Sequence, residues 1–231
     1  MDHNNLPYQV VRSKRRKTAQ IRIKAEKIEI RIPAWVSDQW VEKWVSERGD
    51  WIRKKWTETS RSAQTFCLKL EQGSHLPLLG EHYQLHWKLA NKTEVTFHEG
   101  MIQVNITSRS KKTEHERVKQ ALTDWYKIRA RDVFTERLNY WQSEMGLYAN
   151  LLKIKGYRRR WGSCTSTGEI SLNWKLVFAY QELIDYVVIH EIAHLQYLDH
   201  GKKFWHLVEQ HCPEWKQQRN KLNQRASWLE W

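Results

Sequence analysis

The chain has 231 residues, enough for one large domain or two small ones. Hydrophobic residues make up 40% and charged residues 28%, which excludes an intrinsically disordered chain. The net charge of +13 is uneven, +6 over residues 1–60 and +5 over residues 151–180, and such a field favours polyanions as partners or substrates.

Residues 7–12 and 18–32 alternate apolar and polar, with Ile21, Ile23, Ile28, Ile30 and Ile32 on a two-residue beat. That is a strand pattern, with a hairpin turning near Ala25–Lys27 and closed by Pro33. Between the two runs lie Arg12, Lys14, Arg15, Arg16 and Lys17, a polyanion contact or a solvated turn. Ser37 offers an N-cap for a helix carrying Trp40, Val41, Trp44, Trp51, Ile52 and Trp56. Fourteen Trp imply a Trp-rich core, with a ligand-stacking surface as the alternative. Residues 73–106 return to short strands, punctuated by Gly80 and Gly100. A polar stretch follows, and it sets the expected boundary between a strand-rich region, 1–107, and a second domain, 108–231.

Thr113 and Glu116 form a capping box that starts one long helix reaching about Met145. A strand at 152–156, a basic loop and the strand GEISLN (168–173) come next. Helix returns from about Gln181 to Tyr197, and Pro213 separates two further helical stretches. The class is α+β. Cys67, Cys164 and Cys212 are far apart with no C-x-x-C pair, which argues against a disulfide framework and suits a reducing compartment. No secretory leader or bilayer-spanning run is present, so the expected location is cytoplasmic with no membrane partner.

The run HEIAHLQYLDH (190–200) carries the chemistry. Residues four apart share a helix face, so His190 and His194 can each aim a ring nitrogen at one ion. Zinc requires such convergence, with three protein ligands and one open position in a catalytic site. Glu191, rotated about 100° from His190, falls beside the ion, where it can take a proton from an activated water. The third ligand should lie on chain that bends back, and His200 fits, with Gly201 giving freedom to turn; His206 and His211 compete for the role. Three imidazoles also bind other divalent first-row metals. Arg158, Arg160 and Tyr157 are candidates for transition-state stabilisation by position, and Cys164 is a minor candidate ligand.

RRRWGSCTSTGEISLNWKL (158–176) and IDYVVIHEIAHLQYLDHGKKFW (184–205) together resemble the YgjP-like metal-dependent hydrolases, relatives of the SprT and WLM zinc peptidases. The opening YQVVRSKRRKTAQIRI and the Trp-rich helix after IPAW extend the likeness along the chain. The resemblance implies zinc on His190, His194 and His200, Glu191 as general base, and a gluzincin-like core of long helix, small sheet and metal helix. It also makes GEISLN the edge strand that pairs with extended substrate, which brings in Ser171 and Asn173 beside Arg158 and Arg160. Gly201 departs from the family, where Ser more often follows the third His.

The expected activity is a zinc metallopeptidase acting on peptide or protein. A metal-dependent nucleotide phosphoanhydride hydrolase, with Arg158–Arg160 on phosphate, is the alternative. A nucleic-acid-binding module with a structural metal is a third reading.

Overall fold

The computed structural model describes residues 7–24, 27–65 and 68–231. Two compact units divide the chain between residues 67 and 68. In the first, β1 (Tyr8–Ser13), β2 (Gln20–Ile23) and β3 (Ile28–Pro33) form a sheet in the order β1-β3-β2. β1 runs parallel to β3 and β2 antiparallel to it. The expected hairpin joins β2 to β3, but Ala25 and Glu26 of its turn lie outside the described residues. Ile28, Ile30 and Ile32 point to one face and share a core with Val36, Val41, Val45 and Ile52. Glu29 turns to the opposite face and pairs with Lys27 and Arg31 at 2.9 and 3.1 Å.

Ser37 accepts a hydrogen bond from the Trp40 amide and starts α1 (Asp38–Ser46). The single helix expected here is two, with α2 (Gly49–Thr65) following a short break. The tryptophans divide as well. Trp44 and Trp56 pack against the core, whereas Trp35, Trp40 and Trp51 are exposed.

The second unit opens with β4 (His75–Leu78), β5 (Glu81–Ala90), β6 (Glu94–His98) and β7 (Met101–Thr107), in the order β4-β5-β7-β6. Gly80 and Gly100 take φ of 89° and 74°, the left-handed turn conformation expected of them. Ile102, Val104 and Ile106 of β7 are fully buried. Their cover is α3 (Glu114–Met145), whose capping box forms as expected and whose end is set by Gly146 at φ 65°. Val118, Leu122, Tyr126, Ala130, Phe134 and Leu138 make a buried stripe at four-residue spacing. The boundary expected at 107/108 therefore falls inside the second unit, because the apolar face of β7 needs α3 to keep it from water.

A third sheet follows, with β8 (Leu151–Lys155), β9 (Gly162–Cys164) and β10 (Glu169–Asn173) in the order β8-β10-β9. β10 is parallel to β8 and antiparallel to β9, so it is the central strand and not the edge expected of it. The cause is β9, three residues long and too short to show alternation in the sequence. A 3-10 turn, Trp174–Phe178, leads to α4 (Gln181–Ala193), α5 (Lys202–His211) and α6 (Trp215–Gln224). Trp228 and Trp231 close on Tyr126, Trp174 and Phe178, and the buried Lys175 ammonium donates to the Leu229 carbonyl at 2.7 Å. The α+β class stands. No helix among the described residues is long and apolar enough to cross a membrane.

Candidate metal centre

α4 is apolar nearly all round, and Leu183, Ile184, Val187, Val188, Ile189 and Ile192 are buried. A helix with no wet face must be enclosed by its neighbours. Arg137 of α3 clamps it by a bidentate pair with Asp185, at 2.6 and 3.0 Å, with both side chains mostly buried. The helix ends at Ala193, short of the expected Tyr197. The Leu195 and Gln196 amides bond back to Ile192 and Ala193, a tightened last turn. His194 keeps helical dihedrals in that turn, so it still shares a face with His190.

The chain then bends back. Asp199 Oδ1 accepts from the Gly201 amide at 2.8 Å and aims His200 toward the helix. Gly201 sits at φ −71°, where any residue is at ease, so backbone freedom is not its purpose. A Cβ there would lie 2.7 Å from Asp199 Oδ1, the end of an exposed side chain that can shift to make room.

Each of His190, His194 and His200 offers a ring nitrogen, and the three lie within 4.8 Å of one another. His190 Nε2 and His200 Nε2 are 3.1 Å apart. Two ligands on a tetrahedral zinc at about 2.0–2.1 Å would stand roughly 3.3 Å apart, so the donor set fits such an ion with little movement. His194 turns Nδ1 toward the Tyr197 carbonyl at 3.0 Å; donation there leaves Nε2 with its lone pair. Burial, and then the neighbouring His194 and His200, push His190 down to about 3. It is thus neutral and able to ligate at physiological pH. Burial lowers His200 as well. His190 Nδ1 is buried with no hydrogen-bond partner among the described residues, and packing orients the ring instead.

That packing comes from α5. Phe204 is fully buried, with its ring 4.9, 4.5 and 4.8 Å from those of His190, His194 and His200. Trp205 stacks on His200 at 5.6 Å. Neither aromatic was singled out in the sequence, because an F-W pair on an amphipathic helix reads as ordinary core. His206 and His211 are not part of the cluster.

Glu191 is 5% exposed, and burial raises its carboxyl to about 8, with Arg160 opposing. It packs against Gly162 of β9, where a Cβ would stand 2.5 Å from Glu191 Oε1. Gly162 is the residue most plainly missed in the sequence; its only signal is a glycine at the mouth of a basic loop.

The other sequence candidates separate. Asn173 is fully buried, and its amide donates to the Tyr157 and Arg160 carbonyls at 2.9 and 3.0 Å. It ties down the basic loop and has no donor left for substrate. Ser171 is also buried, in central β10, on the same side as Tyr157. The Tyr157 hydroxyl and Ser163 Oγ are 3.0 Å apart. Desolvation pushes this phenol up, but hydrogen bonds to Ser163 and Ser171 and the nearby cations outweigh it, so the net shift is downward. Arg160 lies 5.2 Å from the Tyr157 ring, and Arg158 is exposed. Burial, with Glu191 close by, raises the Cys164 thiol to about 11, and Cys164 is not part of the histidine cluster.

Two solved structures are similar over part of the chain. The metallopeptidase zymogen abylysin of Pyrococcus abyssi is 22% identical, with TM-score 0.37, over 38% of this chain and 90% of that one. The metallopeptidase zymogen jannalysin of Methanocaldococcus jannaschii is 20% identical, with TM-score 0.33, over 38% and 94%. No curated protein matches the chain significantly. Residues 17–225 match the metallopeptidase domain of the YgjP-like proteins, nearly the whole chain. The chain therefore belongs to the YgjP-like family and is a metal-dependent hydrolase of the metallopeptidase type.

Proposed function

We propose that the chain is a zinc-dependent peptidase in which His190, His194 and His200 hold the ion and Glu191 is general base and then general acid. The observation that carries this is the convergence of three imidazoles beside one buried carboxyl. Zinc held there would supply Lewis acidity, polarising a carbonyl and acidifying water.

Glu191 takes a proton at its carboxylate and returns it to the leaving amine. Its burial favours the protonated form, which suits the second step; Arg160 favours the charged form, which suits the first. Gly162 leaves the room for the carboxyl to sit between sheet and helix.

Substrate alignment falls to β9, an edge strand among the described residues and packed on α4. The Trp161 carbonyl accepts from Asn173 and the Thr165 amide donates to Glu169, so these face β10. By alternation the main-chain groups of Gly162 and Cys164 face away, and they can pair with an extended peptide. The free thiols of Cys164 and Cys212 suit a reducing, cytoplasmic setting. The alternative activity, phosphoanhydride hydrolysis on a nucleotide, draws on the cations of Arg158–Arg160, of which Arg160 acts on Glu191.

The test is to load wild type and Glu191→Gln with zinc and assay casein and a panel of nucleoside triphosphates. Wild type should cleave casein, and the variant should lose roughly 10²- to 10⁴-fold in rate. Phosphate release without proteolysis would remove the peptidase reading. Equal rates in the two proteins would remove Glu191 as the base.

A further inference from the structure

An arginine beside the site has no role in the chemistry above. Arg219 lies on α6, is exposed, and has no ion-pair or hydrogen-bond partner among the described residues. It is nonetheless held in place. Trp215, one turn earlier on the same helix face, is buried and stacks on Trp205 at 4.0 Å and 15°. The Arg219 guanidinium lies 5.7 Å from that same Trp205 ring. Trp205 in turn meets His200 at 5.6 Å and His190 at 5.7 Å. One indole thus links the free cation to two of the three imidazoles.

The guanidinium therefore sits on the side of the cluster where Trp205 meets His190 and His200. Asp199, next to His200 in the chain, turns Oδ1 onto the Gly201 amide. A lone guanidinium beside a site built for a dication is repelled by it, and an anionic group in the intervening space would offset that repulsion.

We infer that Arg219 is a specificity-determining residue that receives an acidic side chain of the bound peptide on the His200 side of the site. The inference rests on the peptidase reading and names its substrate class. Lysine at 219 would keep the charge but lose the planar fork that grips a carboxylate in two places.

Binding tests it without turnover. Zinc-loaded Glu191→Gln protein, with position 219 as Arg, Lys or Glu, is titrated with fluorescein-labelled, amidated alanine heptapeptides. In these a single Asp, Asn or Lys is walked along the sequence, and anisotropy gives Kd. With Arg219 intact, at least one position should favour Asp over Asn by about tenfold or more. Arg219→Lys should keep part of that preference, and Arg219→Glu should abolish it and favour Lys at the same position. Zinc content and melting temperature identify variants that remain folded. Absence of any Asp preference, or the same preference in Arg219→Glu, overturns the inference. Casein cleavage by protein with Glu191 intact judges the peptidase reading separately. Cleavage with no Asp preference removes the role of Arg219 and leaves that reading. Asp preference without cleavage does the reverse.

Discussion

Gly162→Ala places one methyl where the fold has no room. The added carbon would stand 2.5 Å from Glu191 Oε1, 2.8 Å from Cγ and 2.9 Å from Cδ, against an ordinary contact of 3.4 Å or more. Glu191 cannot swing into solvent to escape, since it is 5% exposed on a helix clamped to α3. Either the carboxyl retreats by roughly 1 Å or β9 lifts from α4. Overpacking of this kind costs about 1–3 kcal/mol. A misplacement of about 1 Å in a proton-transferring group costs on the order of 10²-fold in kcat. The histidines are untouched, so bound zinc should stay near one equivalent.

The assay is kcat on casein with zinc content and urea stability measured on the same samples. The discriminating variant is Gly162→Ala combined with Glu191→Asp. Removing one methylene from the acid makes room for the methyl, so stability should recover relative to Gly162→Ala alone while activity stays low. A Gly162→Ala protein with kcat within threefold of wild type would refute the reasoning. So would a stability loss that Glu191→Asp fails to relieve, because the strain would then lie elsewhere.

His194→Ala should lose stoichiometric zinc on dialysis while His206→Ala keeps it; one retained equivalent in the first would sink the ligand assignment. Asn173→Ala removes the amide that the part-buried Tyr157 and Arg160 carbonyls share and should cost about 2–3 kcal/mol. That corresponds to a melting temperature lower by roughly 4–12 °C, and an unchanged value would show the loop to be held by other contacts. Metal-free protein should be most stable near pH 6.5. Below that value the unfolded chain protonates His190 and His200, whose pKa values the fold depresses from 6.5, so stability falls toward acid. Glu191, raised from 4.5 to about 8, binds its extra proton in the folded state, so stability also falls as pH rises toward 8. Between 4.5 and 6.5 it opposes the two histidines without outweighing them. Urea melts with chelator at about pH 5, 6.5 and 8 would check this, and stability rising steadily through that range would contradict it.

Much of this protein is local in origin, and the local part is what the sequence by itself determined. His190, Glu191 and His194 share a helix, so their convergence follows from the helical period. Thr113 with Glu116, Ser37, Gly80, Gly100 and Gly146 act on neighbours within a few residues, and each does what its chemistry dictates. His200 was legible because only five residues separate it from His194.

Tertiary structure alone decided what depends on residues far apart in the chain. β9 exists because β10 pairs with it, and three residues carry no readable period, so central and edge strands exchanged roles. Asn173 became a tether for a loop some fifteen residues away, and Ser171 went inward with the central strand. The domain boundary moved because β7 finds its apolar cover in α3. Gly162 and Arg219 acquire their meaning only once β9 lies on Glu191 and Trp205 lies on His200. Burial and cross-chain contact are sums over the whole fold, and no spacing rule along one strand or helix contains them.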